Sequence, residues 1–164
     1  HLRGKDRRPA GMTAAAIAWR LWQWNEWSND LLYAAMRLRS AIFVVEQQCV
    51  FPDMDGLDPA CTHLCGTDAS GELLAYARLL APGVKYREAS IGRVVTAEAA
   101  RGRQLGRALM IEALRLTAER HPGSVIRIGA QQRLEHFYAS LGFAQTGEPY
   151  LEDGIWHIDM LRAV

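Results

Sequence analysis

The chain has 164 residues, of which 49% are hydrophobic and 23% charged, and its formal net charge is +1. These values are typical of one globular domain whose core buries about 70% of the unfolded surface. A membrane-spanning helix is excluded because no run of about 18 apolar residues occurs, and the odd number of cysteines, three, argues against a disulfide framework and favours a reducing cytoplasm.

The first eleven residues are polar and basic and lack the apolar segment of a secretory signal. We expect residues 1–11 to be an added or unfolded leader, Met12 to be the natural start, and residues 12–164 to form a single domain. The leader carries four positive charges and one negative charge, so without it the net charge changes from +1 to about −2. That balance gives no support to nucleic-acid binding.

The first predicted elements are a strand, a helix and a loop. Apolar residues occupy both sides of an alternating pattern at 17–24, which predicts a strand with two buried faces. Ser28 is a suitable helix cap, and an apolar stripe from Leu31 continues toward Phe43. Residues 46–60 are rich in proline, glycine and aspartate and predict a loop.

The rest of the chain alternates short apolar runs with two amphipathic segments. The predicted strands are 63–67, 73–80, 91–96, 125–128, 143–150 and 155–161, and the predicted helices are 105–121 and 134–141. The resulting order, β-α-β-β-β-α-β-α-β-β, predicts one mixed sheet with helices packed against it.

A turn between the strand at 91–96 and the long helix is suited to an anion. It contains Arg101, Gly102, Arg103 and Gly106 just before and inside the helix start. Free N–H groups and the positive end of the helix dipole point at this turn, and glycine lets a ligand approach the backbone. The spacing matches neither the Rossmann nor the P-loop motif. An ordinary glycine-containing helix start is the alternative interpretation.

The motif Arg103-x-x-Gly106-x-Ala108 resembles the pyrophosphate-binding motif of the GCN5-related N-acetyltransferases, the GNAT superfamily. The element order is also that of this family, and the resemblance covers residues 19–164. Within the family the chain resembles the ElaA-like branch. Further matching segments are Phe43-Val44-Val45-Glu46-Gln47, Ile91-Gly92-Arg93-Val94, Gly129-Ala130-Gln131, Leu141-Gly142-Phe143 and Glu152-Asp153-Gly154-Ile155-x-His157.

The resemblance implies an α/β (α+β) fold with a mixed, mostly antiparallel, twisted sheet of six to seven strands and about four helices. It also implies acetyl-CoA as the acyl donor. The pantetheine arm would pair with the backbone of Val94, Val95 and Thr96 by strand addition. The pyrophosphate would bind the loop formed by Arg101, Gly102, Arg103, Gln104, Leu105, Gly106, Arg107 and Ala108.

The resemblance further implies transfer of the acetyl group to a primary amine of a small molecule or peptide. Tyr138 occupies the place of the family's general acid, which protonates the departing thiolate. A phenol with a pKa of about 10 suits that task. A core tyrosine is the alternative, since Phe137, Tyr138 and Leu141 are also helically spaced apolar positions.

The general base is left open by the sequence. The strand at 91–96 carries no glutamate, so Glu46 and His63 are candidates by resemblance, as is proton removal through water. A solvated helix end explains Glu46 equally well, and a hydrogen-bonded strand histidine explains His63 equally well. For the acceptor, Asp53 and Asp55 are candidates to attract an amine, and His157 is a candidate to line its cleft.

Two alternative functions are retained. Arg39, Phe43 and the acidic segment at 53–58 resemble, in part, the motif of acyl-homoserine lactone synthases, whose acidic loop recognises a cationic substrate. A domain that binds acetyl-CoA without catalysis is the other alternative, and loss of Tyr138 or Gly106 would have indicated it. The acceptor, the acyl-chain preference and the oligomeric state stay open, a homodimer being one candidate.

No metal is predicted. Cys61, His63 and Cys65 alternate along a predicted strand and offer zinc-type donors on one face. Alternate strand residues stand about 6.5–7 Å apart, too far to converge on one ion. A pair of buried thiols is therefore favoured.

Overall fold

Residues 16–163 are described by the computed structural model. The proposed leader at 1–11 and Met12 therefore lie outside the described residues. Within the described part the elements follow the predicted order, with seven strands and three α-helices. They are β1 (Ala18–Gln23), α1 (Asn29–Arg39), β2 (Thr62–Thr67), β3 (Leu73–Leu80), β4 (Ser90–Thr96), α2 (Leu105–Arg120), β5 (Ile126–Gln131), α3 (Glu135–Ala139), β6 (Ala144–Glu152) and β7 (Ile155–Arg162).

The strands form two antiparallel sheets, with the orders β1-β2-β3-β4 and β5-β7-β6. The sheets meet at one parallel bridge between Ala89 and Ile126, where the Arg127 N–H donates to the Ala89 carbonyl at 2.9 Å. Among the described residues no ladder continues from this bridge between β4 and β5. The predicted mixed, mostly antiparallel fold is confirmed, but the sheet is split between these two strands, and the split leaves an opening.

Helices cover both faces of the larger sheet. Leu109 and Met110 of α2 are fully buried in one core cluster, and Ala35 of α1 is fully buried in the other. All eight residues of β3 are buried, as expected for a central strand with helices on both sides. This packing fixes the edge strand β4 between two helices.

Helix α1 begins where the sequence predicts, because the Ser28 hydroxyl accepts a hydrogen bond from the Leu31 N–H at 3.1 Å. The chain then continues as a wider π-helical segment, Ser40–Glu46. Such segments are rare and frequently lie at functional sites. Here the segment brings Ile42, Phe43 and Glu46 to the opening between the sheets.

Candidate active site

The opening between β4 and β5 is a cavity of about 690 Å³. Residues 91–96 of β4 form one wall, and residues 128–131 of β5 form the other. The predicted site residues on its surface are Glu46, Val94, Val95, Thr96, Arg101, Tyr138 and His157. The structure therefore brings together groups that are far apart in the sequence.

A β-bulge interrupts the β4 wall. Tyr76 pairs with Val95 and Arg78 with Gly92, so Arg93 and Val94 together face the single residue between Tyr76 and Arg78 on β3. Arg93 has a φ of 51°, in the left-handed region that non-glycine residues rarely adopt. A bulge leaves the backbone groups of the extra residue outside the ladder. These groups are available to a ligand, and no pattern in the sequence predicted the bulge.

The predicted anion loop has the backbone expected of such a site. Gly102 has a φ of 81° and Gln104 a φ of 53°, and α2 begins immediately afterwards at Leu105. Left-handed residues in a turn orient successive N–H groups toward one point. Gly106 lies within α2, and a Cβ built there would meet no atom within 4 Å. Neither packing nor a left-handed backbone requires glycine at 106, whereas close approach of a ligand would.

Tyr138 of α3 presents a protonated phenol to the cavity. Its side chain is buried against the rings of Phe137 and Phe143, whose centroids lie 5.1 and 5.9 Å away. Burial raises the pKa of Tyr138 to about 12. Among residues 16–163 its hydroxyl has no hydrogen-bond partner. The group is therefore a neutral donor at physiological pH.

Glu46 lies in the cavity wall but is already paired. Its two carboxylate oxygens accept hydrogen bonds from the two terminal nitrogens of Arg101, which belongs to the anion loop. These hydrogen bonds lower the pKa of Glu46. While this pair is intact, Glu46 is a weak proton acceptor.

His63 does not reach the cavity. It is completely buried, stacked on Trp27 with ring centroids 4.2 Å apart. Its Nε2 donates to the Asp58 carbonyl at 3.0 Å, and its Nδ1 accepts from the Tyr76 hydroxyl at 2.7 Å. Both ring nitrogens are occupied by these bonds, so the structure gives His63 a place in the core and no access to a substrate amine.

The buried position of His63 predicts a loss of stability in mild acid. Burial lowers the pKa of His63 to about 4 in the folded chain, against about 6.5 in the unfolded chain. Between these values the unfolded chain binds more protons, so the free energy of unfolding falls as the pH falls. We expect a loss on the order of 2 kcal/mol from pH 7 to pH 5, measured by urea unfolding.

The matched comparison is His63→Gln against His121→Gln. His63→Gln should flatten the dependence between pH 7 and pH 5, because the titrating group is gone. His121→Gln, which changes a histidine at the end of α2, should retain it. Equal pH dependence in both variants would show that His63 is not the responsible group.

The acidic segment is also engaged within the fold. A largely buried network joins three arginines from three elements to three aspartates of the 46–60 loop: Arg39, Arg78, Arg93, Asp53, Asp55 and Asp58. Because the opposite charges are equal in number, the network is neutral overall. The charged groups pair with one another, as buried charges require, although the Nε of Arg78 has no hydrogen-bond partner among the described residues.

The contacts of Asp53 and Asp55 explain why neither is free for an acceptor. Asp53 accepts from Arg39 at 2.9 Å and from Arg93 at 2.8 Å. Asp55 accepts a bidentate pair from Arg78 at 2.8 and 2.6 Å, and these hydrogen bonds lower the pKa of Asp55. The structure therefore argues against a substrate-binding role for Asp53 and Asp55. It also leaves no free carboxylate there for the cationic substrate of a lactone synthase.

His157 lies where the sequence analysis expected it, in the cavity wall on β7. Its Nδ1 is 2.7 Å from the Ile155 carbonyl oxygen, and its Nε2 is 3.6 Å from a Glu152 carboxylate oxygen. Its ring stacks on Tyr150, with centroids 5.9 Å apart. The side chain is 13% exposed.

A short strap, defined as residues 46–49, crosses the opening and was not predicted. Beyond the Glu46–Arg101 pair, Gln47 accepts from Gln131 of β5 at 3.1 Å. The Cys49 thiol donates to the Asp153 carbonyl, in the turn between β6 and β7, at 3.2 Å. Gln47 and Gln131 lie in segments that carried the family resemblance, but only the folded chain brings them together.

The cysteines and histidines form no metal centre among residues 16–163, where no group of three or more potential ligands converges. Cys49, Cys61 and Cys65 are all free thiols. Burial raises the pKa of Cys61 to about 11 and that of Cys65 to about 12. Within the same described range no helix has the length and apolar character needed to cross a membrane.

Comparison with known proteins assigns the chain to a family. Residues 57–163 match the family model of an acetyltransferase (GNAT) domain. The chain is 41% identical to protein ElaA of Escherichia coli K12 over 150 residues, which cover 90% of this chain and 97% of ElaA. The chain belongs to the GNAT acetyltransferase family.

Two solved GNAT structures support the same assignment. An acyl-CoA N-acyltransferase from Pseudomonas aeruginosa superposes with a TM-score of 0.85 at 40% identity, covering 90% of this chain and 99% of the other. Escherichia coli ElaA superposes with a TM-score of 0.82 at 40% identity, covering 89% and 99%. The GNAT fold and the ElaA-like resemblance are thereby confirmed.

Proposed function

We propose that the protein transfers an acetyl group from acetyl-CoA to a primary amine of a small molecule or peptide. The observation that carries the proposal is the position of Tyr138, which presents a protonated hydroxyl to the same cavity as the bulged edge of β4. A thioester held along that edge has its sulfur within a cavity that also contains a proton donor.

The chain's own groups fit the three parts of the cofactor. The edge of β4 that faces away from β3, at Val94, Val95 and Thr96, has no strand paired to it among the described residues, so it can accept the pantetheine amides by strand addition. The N–H groups at the start of α2 suit the pyrophosphate. Arg101 and Arg103 add positive charge at that end.

Acetyl-CoA, when bound, supplies the thioester carbonyl and the thiolate leaving group. The backbone groups freed by the bulge at Arg93 and Val94 are the candidates to bind the carbonyl oxygen as it gains charge. Tyr138 donates its proton to the sulfur as the carbon–sulfur bond breaks. Burial keeps the Tyr138 phenol protonated until that moment.

The proposal is tested by measuring thiol release from acetyl-CoA with a panel of polyamines, amino acids, aminoglycosides and peptide N-termini. We expect amine-dependent thiol release with an N-acetylated product confirmed by mass spectrometry. Saturable binding of acetyl-CoA with no turnover on any acceptor would instead support a non-catalytic binding module.

A Gly106→Val variant tests where the pyrophosphate lies. The added side chain meets no protein atom within 4 Å of its Cβ, so the fold should tolerate it, but it occupies the approach to the N–H groups of α2. We expect the Kd for coenzyme A, measured by calorimetry, to rise at least about tenfold, or about 1.4 kcal/mol.

The matched control is Ala118→Val, an exposed position near the other end of α2. It adds the same β-branched side chain to the same helix and should leave the Kd unchanged. An unaltered coenzyme A affinity in folded Gly106→Val would remove the pyrophosphate from this loop.

A further inference from the structure

The hydrogen bonds of His157 define which ring nitrogen carries its proton. Nδ1 lies 2.7 Å from the Ile155 carbonyl oxygen, which accepts hydrogen bonds and donates none. In the neutral ring Nδ1 therefore carries the hydrogen, and Nε2 carries the free lone pair. Nε2 is the nitrogen on the Glu152 side of the ring, and both residues line the cavity.

The His157 ring is held in place from both sides. β7 is the central strand of its sheet, and His157 pairs with Gln131 of β5 and Tyr150 of β6. Tyr150 stacks on the ring and donates its hydroxyl to Asp159 at 2.7 Å, which fixes the stacking partner. A lone pair held on a central strand is pre-organised for proton transfer.

An exposed carboxylate lies beside the Nε2 atom of His157. Glu152 of β6 places a carboxylate oxygen 3.6 Å from Nε2, and its own side chain is 56% exposed. Asp153 of the turn and Cys49 of the strap line the same end of the cavity. The Glu152 carboxylate is therefore placed between Nε2 and water.

The other proposed bases are engaged elsewhere. Both carboxylate oxygens of Glu46 are bound by Arg101, and both ring nitrogens of His63 are bonded in the core. His157 differs from both because it lines the cavity and, among residues 16–163, no donor is bonded to its Nε2. Of these three groups, His157 is therefore the one that is placed to remove a proton from the acceptor.

We propose that His157 is the general base of the reaction, which rests on the proposed acetyl transfer. Nε2 takes a proton from the acceptor ammonium, and the freed nitrogen lone pair forms the bond to the thioester carbon. The carbon–sulfur bond breaks, and the sulfur takes the Tyr138 proton. The nitrogen loses a second proton, which restores the Tyr138 phenol, while the proton on His157 leaves past Glu152 to water.

The test is a His157→Asn variant, since asparagine retains a side-chain N–H for the Ile155 carbonyl and has no basic nitrogen. Wild type and variant are assayed from pH 6 to 9 with acetyl-CoA and two probes, propylamine and hydroxylamine. With propylamine, which is almost entirely protonated, we expect kcat/KM to fall about 100-fold or more. With hydroxylamine, which is largely neutral, the loss should be much smaller.

A positioning or purely structural role makes different predictions. It would lower the melting temperature or the acetyl-CoA affinity, which we expect to be unchanged, and it would affect both amines alike. His121→Asn, the same change outside the cavity, should match wild type.

The outcomes separate the two proposals. Wild-type transfer with an equally active His157→Asn and an unchanged pH profile would overturn the general base and leave the acetyl transfer standing. An equal loss for both amines would also overturn it. Absence of transfer by the wild type to these probes and to the amine panel would overturn both.

Discussion

A Tyr138→Phe variant is expected to lose between about 10²- and 10⁴-fold in kcat, the range that one general acid contributes. Phenylalanine keeps the ring that packs on Phe137 and Phe143 and removes only the hydroxyl. Since that hydroxyl has no hydrogen-bond partner among residues 16–163, the melting temperature should change little. The thiolate then leaves without a proton donor, so the chemical step slows.

The measurement is the steady-state rate of thiol release at saturating acetyl-CoA, together with the KM for acetyl-CoA. We expect that KM to stay within about twofold, because an interaction used in the transition state affects kcat most. Tyr33→Phe removes the hydroxyl of a highly exposed tyrosine on α1 and serves as the control. A Tyr138→Phe variant that turns over at the full rate would exclude Tyr138 as the acid.

The second large effect is on stability. An Asp58→Ala variant is expected to lose about 3–5 kcal/mol in its free energy of unfolding, because two buried arginines lose a shared carboxylate and the network keeps one uncompensated positive charge. Asp58 accepts from Arg39 at 2.7 Å and from Arg78 at 3.1 Å, and both arginines are at most 1% exposed. Burial alone would raise the pKa of Asp58, but the hydrogen bonds and charges of the arginines lower it.

Urea unfolding at pH 7 measures this loss, and Glu119→Ala provides the comparison. Glu119 forms an exposed ion pair with Arg115 on α2 at 3.0 Å, and such pairs contribute about 1 kcal/mol or less. A loss below about 1 kcal/mol for Asp58→Ala would mean that water reaches the arginines and that the network is not a buried constraint.

The network also connects the acidic loop to the active site. Arg93, the left-handed residue of the β4 bulge, donates to the Asp53 carboxylate at 2.8 Å and to the Asp53 carbonyl at 2.9 Å. The loop therefore helps hold the bulge in the backbone conformation that frees its groups. The acidic motif is accounted for by this support of the cavity wall and needs no direct contact with the acceptor.

Local signals in the sequence were sufficient for the order of the elements, and they also predict the donor half of the proposed site. Alternation and helical spacing predicted the seven strands and three α-helices of residues 16–163 in the correct order, because these patterns follow from backbone geometry alone. The Arg101 to Ala108 stretch predicted an anion loop for the same reason: a helix start and its glycine are local features. The family resemblance, now confirmed, then supplied acetyl-CoA as the expected ligand.

Properties that depend on distant partners required the folded chain. The sequence shows that His63, Asp53 and Asp55 are titratable, but only burial and pairing reveal that their protons and charges are committed within the fold. From the sequence alone, His157 and Glu46 were both candidate site residues with nothing to rank one above the other. The three-dimensional structure distinguishes them. The Ile155 carbonyl binds the Nδ1 of His157, so that Nε2 keeps its lone pair, whereas Arg101 binds the carboxylate of Glu46.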